Sequence, residues 1–401
     1  MYPTIGHLIS KILGVEVIFP IPTYGFMLAS AFLVAYFIVV RGFKRKEKEG
    51  LVKSQFKKII IGKPASAGEL AVSGIFGFII GFKFLGIVLD YSTFSLDPAA
   101  YVLSVQGSFI SGFIAAAILV YLNYRSKKKE LLETPIEKQE EIHPYQLAGN
   151  ILLWAAIWGV IGAKIFHQFE YPEDFFADPL GSLFSAGGLT FYGGLIAGFV
   201  GVYIYCRKVG INILHMMDVA APAILLAYAT GRIGCQLSGD GCWGVVNLAY
   251  ASQGFTEGVY LAKPAWLAFL PDWMWAFDFP NNVVGEGVPI HQCAGRYCSV
   301  LDEPVFPTSF YETVINTIFF GVLWSIRKFA KVPGILFAIM IIMNGFQRFF
   351  IEKIRVNVKT EFLGMQVTQA EIISVCLVLG GIGLIFFFKY WNVRIVRNKN
   401  K

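Results

Sequence analysis

The chain has 401 residues, of which 56% are hydrophobic and 15% charged. Soluble domains carry about 25% charged residues, so a soluble fold is excluded and an all-α polytopic membrane protein is expected. The formal net charge of +7 is spread over the connections between apolar runs, which reads as a solvated membrane rim and excludes a nucleic-acid footprint.

Met1 to Pro22 lacks the basic start and small-residue cleavage site of a signal peptide, so the first apolar run is expected to stay as a helix. A span needs about 20 apolar residues. Nine runs fit that requirement, at 23–40, 69–89, 101–123, 145–167, 189–205, 213–230, 309–326, 333–351 and 370–390. Basic connections at Arg41–Lys58, Arg125–Lys129, Arg207-Lys208, Arg327 to Lys331 and Arg394–Lys401 alternate with connections poor in Lys and Arg at 90–99, 170–188 and 231–306. The positive-inside rule makes the basic set cytoplasmic, with the N-terminus outside and the C-terminus inside. The expected division is a three-span part at 1–124, a charged cytoplasmic linker at 125–144 and a six-span part at 145–401. The long loop 231–306 is expected to form a small external head. No internal repeat is visible, which disfavours an inverted-repeat transporter.

The polar and glycine-rich outliers collect at the external face in this topology. Tyr24 opens span one, and Lys164 and His167 lie near the end of span four. Tyr192, Gly193 and Gly194 open span five, Arg232 and Asp240 follow span six, and Tyr311 and Glu312 open span seven. Arg348, Glu352 and Arg355 close span eight; their i, i+4, i+7 spacing predicts one helix stripe. A central intramembrane arginine costs about 2.5–3.5 kcal/mol. Glu352 neutralises an arginine on one reading; on the other, the arginines grip a phosphate, which suits their planar fork, and Glu352 orients one of them. Asp218 lies about 21 Å along a helix from Arg232 at 1.5 Å per residue, too far inward for chemistry at that face, and is expected to cap the start of that helix. Cys235, Cys242, Cys293 and Cys298 fall in or beside the external loop, where one or two disulfides with three possible pairings are expected.

Several segments together resemble the prolipoprotein diacylglyceryl transferases. Phe175–Leu180 resembles that family's external segment. Phe191-Tyr192-Gly193-Gly194-Leu195-Ile196 is similar to its His-Gly-Gly-Leu motif, with Tyr for His. Asp218 with Ala221-Pro222 resembles the start of the next helix. Gly231–Gly244 resembles the family signature, with Arg232 at the signature arginine, Cys235 where Asn is common, and Asp240 near the acidic position with one extra residue after it. Pro307-Thr308-Ser309-Phe310-Tyr311-Glu312 resembles Pro-Ser-Gln-Leu-Tyr-Glu, and Arg348, Glu352 and Arg355 match the paired arginines and glutamate of the penultimate helix. The likeness covers span one and about residues 150–390, and spans two and three look like an insertion into a seven-span family.

The resemblance implies transfer of the diacylglyceryl group of phosphatidylglycerol to the lipobox cysteine of a prolipoprotein in the bacterial inner membrane, forming a thioether and releasing glycerol phosphate. Phosphatidylglycerol, prolipoprotein signal peptides and membrane lipid are the implied partners; no cofactor, metal or nucleic acid is implied. Arg232, Arg348, Tyr192, Asp240, Glu352 and His167 are the implied catalytic set. Arg232, Tyr24, Gly193, Gly194, Tyr311, Glu312 and Arg355 are the implied substrate-binding set. The thiol substrate, with a pKa near 8.5, must lose a proton. Four readings of that step stand: Tyr192 as base, His167 as base, Asp240 as base, or Tyr192 positioning the headgroup while arginines acidify the thiol. Two other functions compete: a catalytically impaired relative that binds lipid or signal peptides, suggested by Tyr192, and a transporter, which would need polar residues along a path through the membrane.

Overall fold

The computed structural model describes residues 1–401 without 16, 18, 92, 93, 95–100, 102, 103, 105, 133, 135, 185–187, 294, 358, 359, 363, 364, 400 and 401. Parts of the expected connections 90–99 and 170–188 therefore lie outside the described residues. The main elements are α1 (Ile5–Leu13), α2 (Thr23–Lys48), β1 (Gln55–Ile61), α3 (Ala67–Leu89), α4 (Phe109–Lys129), β2 (Ile136–Ile142), α5 (Ala148–Glu170), α6 (Phe191–Lys208), α7 (Ile213–Ser238), α8 (Thr308–Ile326), α9 (Ile335–Glu352) and α10 (Gln369–Lys399). Strands occur only in two-stranded antiparallel ribbons among the described residues. Among the described residues, seven helices are long and apolar enough to cross a membrane: α2, α3, α4, α5 with the 3-10 turn before it, α7, α9, and α10 as far as Tyr390. The chain is therefore an all-α polytopic membrane protein. Helices α6 and α8 occupy the two remaining expected spans, with 18 and 19 residues, and their apolar runs are diluted by Arg207-Lys208 in one and by Thr308, Thr313, Asn316 and Thr317 in the other.

The chain divides into two compact units, one of Met1–Val52 and Cys206–Lys401, the other of Lys53–Tyr205. In the second unit, α3 packs on α4, where the Ser111 hydroxyl of α4 donates to the Gly81 carbonyl at 2.8 Å. Part of the charged stretch 125–144 forms β2, which pairs antiparallel with β1 from Gln55↔Ile142 to Ile61↔Ile136. Lys58 and Glu137 meet across it at 3.1 Å, both well exposed, so the pair contributes at most about 1 kcal/mol.

The first unit is organised around α7. The Asn212 side chain caps its start, accepting from Leu214 N at 2.9 Å, and Gly239, in a left-handed conformation (φ 65°), ends it. The helix therefore runs eight residues past the expected boundary at 230, and Arg232 lies inside it rather than after it. Gly231 and Gly234 do not stop the helix because tertiary packing outweighs their weak helix preference: Gly234 lies directly against Met27 and Tyr24 of α2. Ala221 and Leu225 of α7 are buried with Leu323 of α8 and Leu336 and Met340 of α9, forming the apolar core.

Asp218 caps a helix, but not its own. Its carboxylate accepts from Gly334 N at 3.0 Å and from Leu336 N at 3.1 Å, closing orphan donors at the start of α9, where the helix dipole favours a negative charge. Lys46, in the last turn of α2, lies 3.2 Å from the same carboxylate, and both side chains are almost fully buried. Lys46 Nζ also lies 3.2 Å from His215 Nδ1. One carboxylate thus joins α2, α7 and α9.

After α7 the chain forms the head, residues 239–306. Trp243, Phe279 and Val305 are its buried cluster. Buried Asn247 accepts from Ala249 N and Leu261 N at 3.2 and 3.1 Å, and donates to the Leu261 and Trp275 carbonyls at 3.0 and 3.1 Å. Cys293 and Cys298 form a disulfide, whereas Cys235 and Cys242 are free thiols; of the one or two expected bridges, one is present. The segment from Cys242 to Val246 stitches three helix ends together. The Cys242 carbonyl accepts from the Thr308 and Ser309 hydroxyls at 2.7 and 3.0 Å. Gly244 N donates to the Phe306 carbonyl at 2.8 Å, and Val245 N donates to the Ile354 carbonyl at 2.9 Å. Gly244 also pairs with Arg355. Arg355 accordingly does not share a stripe with Arg348 and Glu352: α9 stops at Glu352, and the three residues after it turn into this pairing.

Two stability effects are expected. Asp218→Ala leaves a buried ammonium and two orphan amides, and should cost about 3–5 kcal/mol, read as a lowered unfolding midpoint in detergent. At Gly244 a Cβ would run into the Ile354 carbonyl and Phe306, neither of which is a flexible side-chain end, so Gly244→Ala should cost about 1–3 kcal/mol in the same assay.

Candidate active site

Two ion pairs lie at the helix ends that the head draws together. On α7, Arg232 Nε is 2.6 Å from Glu312 Oε2 of α8, and the Glu312 side chain is completely buried. Tyr228, one turn before Arg232, completes the arrangement. Its hydroxyl accepts from Arg232 Nε and Nη2 at 3.0 and 2.9 Å and donates to Glu312 Oε1 at 3.0 Å. The Arg232 guanidinium lies 5.1 Å from the Tyr228 ring centroid. Its Nη1 faces the Cys235 sulfur at 3.9 Å. On α9, Arg348 Nη2 is 2.7 Å from Glu352 Oε2; the glutamate is buried and Arg348 remains 31% exposed. Asn357 donates to the other Glu352 oxygen.

These contacts explain how guanidinium groups are kept inside an apolar bundle. A buried unpaired charge would cost several kcal/mol, and an adjacent carboxylate with further hydrogen bonds removes most of that cost. A guanidinium has five donors, so each arginine held through one edge keeps N–H groups for an anion. The arrangement can bind a phosphate and stabilise charge developing on it.

The other sequence-predicted residues fall as follows. Tyr24 packs on Gly234, two residues from Arg232 on α7, and is 42% exposed. The Tyr311 hydroxyl donates to the Met274 carbonyl at 2.6 Å, tying α8 to the head. Glu312 and Glu352 are the two buried counter-ions. The backbone N–H of Arg355 donates to the Glu352 carbonyl at 3.3 Å. Asp240 lies in the reversal after α7 and accepts from Cys242 N at 3.2 Å. The Cys242 thiol is held below the usual thiol range, chiefly by a hydrogen bond from the Cys235 thiol.

His167, Tyr192, Gly193 and Gly194 belong to the second unit. There the His167 ring lies 4.9 Å from that of Tyr171 and beside Gly188. Tyr192 is 41% exposed. Gly193 and Gly194 pack against Gly159, Gly162 and Phe166 of α5, and a Cβ at Gly193 would stand 2.6 Å from the Gly162 carbonyl oxygen.

Sequence reasoning missed Tyr228 and Asn357. Tyr228 sits four residues before Arg232, a spacing that places the two on one helix face, but a tyrosine in an apolar run also fits an interfacial belt. Asn357 lies beyond α9, and no spacing rule connects it to Glu352.

The family model for prolipoprotein diacylglyceryl transferase matches residues 108–387. Among curated proteins, the chain is similar to the phosphatidylglycerol–prolipoprotein diacylglyceryl transferase of Staphylococcus aureus (strain MRSA252), 27% identical over 305 residues, covering 75% of this chain and 91% of that protein. The protein of the same name from Staphylococcus aureus (strain bovine RF122 / ET3-1) is 26% identical over 306 residues, covering 76% of this chain and 91% of that one. A match over more than half of the chain, with apolar helices of membrane length and arginines paired to buried glutamates inside the matched region, settles the assignment: the chain is a multi-pass membrane protein that belongs to the prolipoprotein diacylglyceryl transferase family, transferases of lipoprotein biosynthesis.

Proposed function

We propose that this chain transfers the diacylglyceryl group of phosphatidylglycerol to the lipobox cysteine of prolipoproteins presented by their signal peptides. The observation that carries the reading is the pair of guanidinium groups, Arg232 and Arg348, each braced by a buried glutamate within the family-matched region. The sulfur of the substrate thiolate attacks the glyceryl carbon bonded to phosphate. A C–S bond forms, the C–O bond to phosphate breaks, and glycerol phosphate leaves with the electron pair. The negative charge of that leaving group is where Arg232 and Arg348 act. Glu312, Glu352 and Tyr228 position the arginines. Tyr24 and Arg355 contribute to headgroup binding, and Asp240 stays a candidate proton acceptor. In the second unit, Tyr192 occupies the motif position of the family histidine; its hydroxyl is assigned to headgroup binding, with proton transfer by Tyr192 or His167 as the competing assignments. Nine spans, an outside N-terminus and a periplasmic-face site in a bacterial inner membrane complete the reading, supported by alternating loop charge and by α6 and α8 at the positions of expected spans five and seven.

Complementation of cells depleted of their own transferase tests it. The wild-type chain should restore lipoprotein lipidation, and Arg232→Ala and Arg348→Ala should each lower it by about 10²-fold or more. Normal lipidation with both arginines replaced would refute the site. No lipidation by a folded wild-type chain that still binds phosphatidylglycerol would favour the impaired relative that Tyr192 suggests.

A second measurement separates the roles of Tyr192 and His167. Loss of one headgroup hydrogen bond costs about 0.5–1.5 kcal/mol, so Tyr192→Phe should raise KM up to roughly tenfold with kcat little changed. A fall in kcat of roughly 10³-fold or more, in the range of a lost general base, would instead assign proton abstraction to the Tyr192 hydroxyl. The same fall in a folded His167→Gln variant would assign it to His167.

A further inference from the structure

Three metal-binding side chains converge where the chain turns back after α7. Cys235 Sγ, a carboxylate oxygen of Asp240 and Cys242 Sγ all lie within 4.8 Å of one another. Cys235 is in the last turn of the helix. Gly239 (φ 65°) and Gly241 (φ 85°) allow the reversal that carries Cys242 back to it, and the backbone bond from Cys242 N to Asp240 Oδ1 at 3.2 Å holds the carboxylate in place. A tetrahedral zinc ion with Zn–S bonds of about 2.3 Å sets its sulfurs roughly 3.8 Å apart, so closure on an ion needs shifts of about 1 Å or less. Cys235 is buried, whereas Asp240 and Cys242 are partly exposed, which leaves a side from which an ion and a water ligand enter.

The charge balance also fits. Two thiolates and one carboxylate carry three negative charges, and a divalent cation leaves one. Arg232 Nη1, 3.9 Å from Cys235 Sγ, stands beside that remaining charge, while the edge of Arg232 away from the thiols stays with Glu312. Two thiolates select a soft or borderline ion over magnesium or calcium. We propose that Cys235, Asp240 and Cys242 form a three-ligand site for a thiophilic divalent cation of the zinc class, with a further coordination position open to water, directly beside Arg232. Metal binding here does not depend on the transferase reading, because it is measured without lipid or peptide.

The test uses the full-length chain in detergent, purified anaerobically so that the free Cys235 and Cys242 thiols and the Cys293–Cys298 disulfide both persist. It is equilibrated with excess zinc, desalted and analysed for metal, with cobalt(II) titration in parallel. About one zinc per chain is expected, with a thiolate-to-cobalt charge-transfer band and tetrahedral visible bands. Cys235→Ser and Cys242→Ser should each lower affinity by about 10²-fold or more and Asp240→Asn by about tenfold, while Cys376→Ser leaves it unchanged. Less than about 0.1 zinc per chain in the wild type overturns the proposal, and so does zinc retained by both serine variants. Intact mass and alkylation of the protein isolated without reductant supply a readout that needs no variant. A Cys235–Cys242 disulfide as the resting state, with both thiols blocked to alkylation, overturns it as well; alkylation of Cys235 and Cys242 that zinc prevents supports it.

Discussion

A charge placed among apolar helices must find its opposite, and this requirement organises the first unit. Lys46 meets Asp218, Arg232 meets Glu312, and Arg348 meets Glu352. In each pair the carboxylate is the more deeply buried partner. The ordering is physical: a carboxylate in such a place survives only as the companion of a cation or as an acceptor of several hydrogen bonds, and Asp218 is both. The pairs nevertheless do different work. The Lys46 pair is sealed, with both side chains buried, and joins helices. The two arginine pairs are sealed on the glutamate side only, so the guanidinium keeps contact with whatever enters.

That asymmetry distinguishes a sealed ion pair from one with an accessible guanidinium, which sequence spacing does not. Arg348 and Arg355 look equivalent in the chain. Only Arg348 is presented by a helix against a buried glutamate; Arg355 lies beyond the helix end, in the segment paired with Gly244. Likewise Asp218 and Glu312 are both buried acids on helices, yet one closes a helix start and the other holds an arginine directly and through a tyrosine hydroxyl.

The helices were legible in the sequence because apolar runs of membrane length have few other solutions. Each of the nine expected runs overlaps a helix, and among the described residues seven of these helices are long and apolar enough to stand as spans. Arg232, Glu312, Arg348 and Glu352 were legible as outliers, since ionisable groups are rare in such runs. What was not legible depended on contacts between segments distant in sequence. The partner of Arg232 is 80 residues away in Glu312, and the helix capped by Asp218 begins more than 100 residues later. The end of α7 was misread because glycine preference was weighed without the packing of α2 on Gly234. The disulfide partner of Cys293 was open because four cysteines admit three pairings until the loop geometry is known.

The stitching by Cys242–Val246 has an evolutionary corollary. Its bonds to Phe306 and Ile354 are made by main-chain atoms, and main-chain atoms are common to every amino acid. The alignment of α7, α8 and α9 at that end therefore makes few demands on side-chain identity, apart from the missing Cβ of Gly244 and the small hydroxyls of Thr308 and Ser309. Substitutions can accumulate around such a joint without moving the residues it aligns, a tolerance in keeping with a recognisable family framework at about one identical residue in four.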